Sequence, residues 1–261
     1  MRAKANGINI NYRIDGLEGA PWLVFSNSLA TSLAMWDEQT AALRDSFRVL
    51  RYDQRGHGGS DAPAGRYTFD TLLADALALM DALAIEKANF AGLSMGGATA
   101  LGLAERHPGR FERIVIADSP CQSTPQSSHQ WEQRIAVAQK QGIEALVEPT
   151  VARWFPAEAV AQNLPHLDMV RAMIRATPVN GFIGCAAALA AHDYASAVAT
   201  VKCPTLFIVG EKDGTTPAAM GKLHERLPGS RLVTLAGAGH ISNMDRPAEF
   251  GRALRDFLTD N

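Results

Sequence analysis

Short apolar runs recur along this chain with longer amphipathic stretches between them, and that rhythm narrows the folds open to it more than any other feature. The runs are WLVFSN (22–27), RVLRYD (48–53), ANFAGL (88–93), RIVIAD (113–118), TLFIVG (205–210) and RLVTLA (231–236). Each reads as a buried strand, too short for a buried helix. Between them, TLLADALALMDALAI (71–85), ATALGLAERH (98–107) and AAMGKLHERL (218–227) space their apolar residues by three and four, the period of a helix. The alternation predicts an α/β fold with a mostly parallel, twisted sheet flanked by helices. INYRID (10–15), followed by the glycines of DGLEG and then WLVFSN, predicts an antiparallel opening hairpin.

From about residue 121 to residue 200 the rhythm stops. This stretch reads as helical pieces broken at Pro149, Pro156, Pro165 and Pro178, a helical cap (121–200) packed on a core domain formed by 1–120 and 201–261. With 261 residues, 47% of them hydrophobic and 20% charged, the chain can bury a sizeable core and is not disordered. The net charge is −2, with Lys and Arg mixed among Asp and Glu, so no basic face favours nucleic acid or an anionic membrane, and a small molecule is the expected partner. No apolar leader follows the first charges and no run approaches 18 apolar residues. Cys121, Cys185 and Cys203 are odd in number and lack metal-type spacing, which fits reduced packing residues in a cytoplasmic protein.

The run ANFAGL is followed at once by Ser94-Met95-Gly96-Gly97 and a helix, giving G-x-S-x-G between strand and helix. A serine in so sharp a turn takes a strained backbone conformation, and flanking glycines let neighbouring elements approach closely enough to permit it. Its hydroxyl then stands above the strand ends, with the helix amides aimed at the same place. The bland reading of the motif is a glycine-rich turn with a helix-capping serine.

A serine hydroxyl needs a base to take its proton, and the base needs a carboxylate to hold its ring. Both are expected at later strand ends. After TLFIVG comes Glu211-Lys212-Asp213-Gly214, and after RLVTLA comes Gly237-Ala238-Gly239-His240. His240, in a glycine-rich loop with little to pack on, is the candidate base. Asp213 is the favoured acid, with Asp118 and Glu211 as competitors and an N-cap as its bland role. His57, in RGHGGS, reads as a histidine that holds glycine turns together by hydrogen bonds and is left out of the triad. Neither HExxH, CxxC nor GxxxxGK[ST] occurs, so no metal or nucleotide cofactor is expected.

With Ser94, Asp213 and His240 in that order, and with DQRGHGGSD (53–61) after an early strand, the chain resembles the α/β-hydrolase superfamily over essentially its whole length. The resemblance implies the α/β-hydrolase fold, with a cap inserted after the sixth strand. More narrowly, FSNSLATSLAMWD (25–37), YDQRGHGGSDAP (52–63), GLSMGG (92–97) and RWF (153–155) resemble the 3-oxoadipate enol-lactonases of bacterial aromatic catabolism. Most of the superfamily carries a His-Gly pair where this chain has Asn27-Ser28, and Asn-Ser-Leu is a mark of the lactonase group. The resemblance implies an oxyanion hole made by the backbone N–H groups of Leu29 and Met95.

It also implies an acidic lactone substrate, whose carboxylate calls for a cation in the cap. Trp131 and Arg134 lie three apart on one helical face, Arg134 to grip the carboxylate and Trp131 to wall the pocket, with Trp154 of RWF as a second wall. An Arg–Trp surface pair and plain cap core are the bland readings. A carboxylesterase or carbon–carbon hydrolase on the same triad is the rival reaction, and a slow-turnover ligand receptor the rival outside enzymes. Ser94 itself weakens dehalogenase and epoxide-hydrolase readings, because those relatives use an aspartate there.

Overall fold

The computed structural model describes residues Met1–Asp260. Eight strands form one sheet: β1 (Arg2–Ala5), β2 (Ile8–Gly16), β3 (Trp22–Ser26), β4 (Arg48–Tyr52), β5 (Ala88–Leu93), β6 (Phe111–Ala117), β7 (Thr205–Gly210) and β8 (Arg231–Leu235), in the order β1-β2-β4-β3-β5-β6-β7-β8. The pairs β1–β2 and β2–β4 are antiparallel, and every pair from β4 to β8 is parallel. All residues of β5 and β7 are buried, as expected where helices cover both faces of a parallel sheet. The opening hairpin differs from the sequence expectation. INYRID lies in β2, but its partners are β1 and β4, not WLVFSN. The short strand RAKA was hidden because it alternates Lys and Arg with Ala and carries no apolar run.

Four helices of the βα pattern are α1 (Asp37–Leu43), α2 (Phe69–Ala82), α3 (Met95–Arg106) and, later in the chain, α9 (Thr216–Arg226). Between β6 and β7 lie α4 (Pro125–Gln141), α5 (Val147–Trp154), α6 (Ala157–Gln162), α7 (Pro165–Ala176) and α8 (Val179–Ala191), and the chain closes with α10 (Ser242–Asp245) and α11 (Pro247–Thr259). Trp36 stacks on Phe25 of β3 at 4.5 Å and touches Phe250 at 6.0 Å, joining the sheet to α11. No single helix among the described residues is long and apolar enough to cross a membrane. Cys121 and Cys185 are buried, Cys203 is partly so, and all three are free thiols.

The segment between β6 and β7 starts and finishes at one place. Gln122 bridges Asp193, Ser123 N–H donates to His192 O at 2.8 Å, and Tyr194 N–H donates to Cys121 O at 2.7 Å. Pro156 and Pro178 are N-caps and Pro165 opens α7, where a missing N–H costs nothing. Pro149 was expected to break a helix and does not. It is the third residue of α5, still within the first turn, whose amides have no intrahelical acceptor. Helix α8 rests on the 53–61 loop through Gly56 and Gly181, where a Cβ on Gly56 would stand 2.4 Å from the Gly181 Cα.

That loop is pinned from within. Asp53 accepts N–H groups from Leu33 at 2.7 Å and Gly59 at 2.8 Å. His57 is fully buried, accepts the N–H of Ala30 at Nε2 (2.8 Å), and lies 3.1 Å from Arg55 O through Nδ1. Burial drives its pKa down to about 4, so the ring is neutral and its role is to hold two loops together. A histidine whose folded pKa lies below its unfolded value stabilises the fold above the unfolded pKa and loses that contribution as pH falls through the folded one. Between about pH 6.5 and pH 4 the wild type is therefore expected to lose on the order of 3 kcal/mol through this group. His57→Gln, less stable at pH 7.5, should show a flatter fall across that window in urea titrations; equal slopes would contradict the assignment.

Candidate active site

Ser94 sits between β5 and α3 at φ 56° and ψ −112°, a left-handed backbone that a side-chain-bearing residue keeps only under constraint. The constraint is close backbone packing. A Cβ on Gly92 would stand 1.9 Å from Gly96 O, and one on Gly96 would stand 2.1 Å from Ser26 O, so neither position admits a side chain. Ser94 N–H donates to Ala117 O of β6 at 2.8 Å, and its own carbonyl accepts Ala98 N–H of α3.

His240 Nε2 lies 2.9 Å from Ser94 Oγ, and His240 Nδ1 lies 2.8 Å from Asp213 Oδ2. With Nδ1–H donating to the carboxylate, Nε2 is left to accept the serine proton. The two competing carboxylates are engaged elsewhere. Glu211 accepts Gly237 N–H at 2.8 Å and braces the loop before His240. Asp118 accepts Gly210 N–H at 2.7 Å and bonds the Ser242 hydroxyl. Burial, and then the charge of Asp213, push the Asp118 carboxyl well above the usual carboxylate range.

The loop carrying Leu29 abuts the serine turn, since Ser26 O and Asn27 O both face the Cβ position of Gly96. The Leu29 and Met95 N–H groups have no protein partner among the described residues, which leaves them free to meet an oxyanion. In the sequence, Asn27 is a mark of resemblance only. In the structure it builds the loop: its side chain donates to Ser28 O and Thr31 O, and accepts Gln54 N–H. Gln54 returns a 2.6 Å bond to Asn27 O. The polar residues at a strand end, where an apolar run would otherwise continue, were the available signal.

In the segment between β6 and β7, Trp154 is buried and its indole stacks on His240 with 6.0 Å between centroids and 27° between planes. Its carbonyl also accepts His240 N–H at 2.7 Å. Trp131 and Arg134 meet as the helical spacing predicts, with the guanidinium 4.9 Å from the indole centroid. They line a cavity of about 460 Å³ with Leu146, Pro149 and Arg153, and Arg153 lies over the same indole at 5.6 Å. Neither Ser94 nor His240 lines this cavity. Trp154, adjoining Arg153 in sequence and stacked on His240, links the two places.

Arg134 has Thr150 Oγ1 as its hydrogen-bond partner, at 2.7 Å, and no carboxylate within ion-pair distance. Burial, and then the charge of Arg153, lower its pKa to about 9. Arg153 stays open to solvent yet is likewise lowered by the protein around it, while Asp213 opposes the shift. The other arginines of this segment are occupied, Arg171 with Glu148 and Asp168, Arg175 with Glu144. Two adjacent guanidinium groups thus face one cavity without a counter-ion.

A family model described as the alpha/beta hydrolase fold matches residues 21–247. The chain is 34% identical over 251 residues to 3-oxoadipate enol-lactonase 2 of Acinetobacter baylyi, covering 96% of this chain and 93% of that protein. The solved enol-lactonase from Burkholderia xenovorans LB400 is 42% identical, with a TM-score of 0.96 and full coverage of both chains. A thermophilic esterase from Thermogutta terrifontis, solved with malate bound, gives a TM-score of 0.92 at 26% identity, covering 99% of this chain and 98% of that one. A serine turn between the fifth strand and the next helix, on a sheet that matches these relatives from end to end, has one reading: the chain belongs to the α/β-hydrolase family.

Proposed function

We propose that this protein hydrolyses a small acidic lactone, 3-oxoadipate enol-lactone to 3-oxoadipate, with Ser94 as nucleophile, His240 as base and Asp213 as the acid that orients it. The observation that carries the reaction class is the unbroken hydrogen-bonded series from Ser94 Oγ through the His240 ring to Asp213. Support for the substrate comes from the similar enol-lactonases and from the two unpaired guanidinium groups in the segment 121–200, which we take to be a cap over the core.

Ser94 Oγ attacks the lactone carbonyl while His240 Nε2 takes its proton. The N–H groups of Leu29 and Met95 receive the oxyanion, and α3 points its positive end at the same charge. Collapse breaks the ring C–O bond and expels an enolate, a better leaving group than an alkoxide. The enolate oxygen takes the proton from His240 Nε2 to give the enol. The neutral imidazole then takes a proton from water as it attacks the acyl-enzyme, that proton passes to Ser94 Oγ as the ester bond breaks, and the released enol tautomerises to the 3-oxo acid. Trp154 shields the imidazole from bulk water, and Arg134 with Arg153 and Trp131 forms the carboxylate end of the pocket. A carboxylesterase on the same triad is the second reading, favoured by the likeness to the thermophilic esterase. The two readings differ in what the paired arginines contribute.

Ser94→Ala should leave less than about a hundredth of the wild-type rate with an unchanged circular dichroism spectrum. More activity in a folded variant removes Ser94 from the reaction. For the acid, Asp213→Asn should lower kcat by roughly 10³- to 10⁴-fold, because Nδ1–H loses its charged acceptor and the wrong tautomer becomes available. The substrate reading is tested by the ratio of kcat/KM for the acidic lactone to kcat/KM for a neutral ester of similar size. Arg134→Ala or Arg153→Ala should lower that ratio by about tenfold to a hundredfold. An unchanged ratio in both variants favours the general esterase.

A further inference from the structure

Three segments must be brought into register for the reaction, and one strand end touches all of them. Ala117, the last residue of β6, accepts the N–H of Ser94. Asp118, the next residue, lies buried at φ 47°, with its N–H donated to Ile208 O of β7 at 2.9 Å. Its Oδ1 accepts Gly210 N–H at 2.7 Å, three residues before Asp213, and its Oδ2 bonds the hydroxyl of Ser242, two residues after His240. The segments carrying Asp213 and His240 also touch each other directly, through Lys212 N–H to Ala238 O and the contact of Gly210 with Gly239. Those contacts fix acid against base. The β6–β7 ladder ends at Ala117 and Ile208, short of Gly210, so beyond it the Asp118 side chain makes the next link from that strand end to both segments.

We propose that Asp118 is a positioning residue: through Gly210 N–H and Ser242 Oγ it ties the segments of Asp213 and His240 to the strand end that holds Ser94. The inference rests on the reading of Ser94, His240 and Asp213 as the reacting groups. Burial and the like charge of Asp213 favour the neutral carboxyl, and a neutral group of the same shape can replace it. In Asp118→Asn the amide oxygen still accepts Gly210 N–H and the amide nitrogen can donate to Ser242 Oγ. Asp118→Ala removes both ties, and a displacement of about 1 Å between reacting groups costs on the order of a hundredfold in rate.

The test is steady-state hydrolysis of 4-nitrophenyl acetate and of the enol-lactone across pH. It is paired with proton NMR of the hydrogen-bonded His240 Nδ1–H signal and with thermal unfolding. Asp118→Ala should lower kcat by roughly 10- to 100-fold with KM within about twofold, and should shift or broaden the Nδ1–H signal. Asp118→Asn should restore kcat to within about fivefold, keep the signal, and leave the acid limb of kcat/KM in place. A group of purely structural importance would lower the melting temperature without this kcat effect or spectral change, so wild-type kcat in folded Asp118→Ala overturns the proposal. A loss in Asp118→Asn as deep as in Asp213→Asn also overturns it, since the charge would then be what matters. If Asp118→Ala does not fold, Ser242→Ala, which cuts one tie, decides: a drop in kcat of about three- to tenfold supports the proposal and an unchanged kcat defeats it. Full activity in Asp213→Asn is a separate outcome, in which the triad reading itself fails and the positioning role falls with it.

Discussion

A serine at φ 56° occupies backbone space that costs a residue with a side chain about 1–3 kcal/mol, so its surroundings must hold it there. Three contacts do so. The carbonyl of Ala117 fixes the Ser94 amide, Gly92 lets Gly96 O come within a distance no Cβ tolerates, and Gly96 does the same for Ser26 O. Two other left-handed residues, Ala30 and Asp118, lie close by in the fold, and each is locked by a buried hydrogen bond, Ala30 to His57 and Asp118 to Ile208. Half of the six non-glycine residues with positive φ among the described residues thus belong to the ring of loops around Ser94, and the strain is concentrated where geometry matters for chemistry.

Charge is distributed around this ring by burial. Three carboxylates approach the end of β7, and each is given different work by its partners. Asp213 meets His240, Glu211 caps the Gly237 amide, and Asp118 is pushed toward its neutral form by burial beside Asp213. Two carboxylates so near each other do not share a charge-bearing role in a poorly solvated interior, which is the physical reason that one serves the imidazole and the other the backbone. On the far side of Trp154 the imbalance is reversed. Arg134 and Arg153 both lie over the Trp131 indole and line one cavity with no acid within ion-pair distance of either. The resulting field favours an anion in the cavity.

Much of this was legible in the sequence because the chemistry is bound to strand ends. Apolar runs located β3 to β8, the glycines around Ser94 marked the turn, and the residues just after β7 and β8 offered Asp213 and His240, which the structure brings within hydrogen-bond distance of each other. Elements without an apolar period were not legible. β1 is built on alternating charges, and β2, legible as an antiparallel opening strand, pairs with a strand three dozen residues away, so its partner does not follow from local spacing. The braces were hidden for another reason. Asn27, Gln54 and Asp118 bond backbone groups distant in sequence, Ser242 bonds the distant Asp118 carboxyl, and nothing in their own neighbourhoods announces the partner. Pro149 misled because proline breaks a helix interior but not its first turn.

The bond from His240 N–H to the carbonyl of Trp154 divides the segment between β6 and β7 into two parts with different freedom to diverge. Gly239 lies so close to that carbonyl, 2.2 Å from its would-be Cβ, that the main chain at the end of α5 cannot drift without dragging the base with it. Helix α4, which carries Trp131 and Arg134 to the cavity, makes no main-chain hydrogen bond to the loop of His240 among the described residues. On the proposed reading of the cavity as the carboxylate end of the pocket, changes in the main chain at the end of α5 move the base, whereas substitutions on α4 change what the pocket accepts without pulling on His240. Laboratory evolution of new specificity has its widest room on that helix.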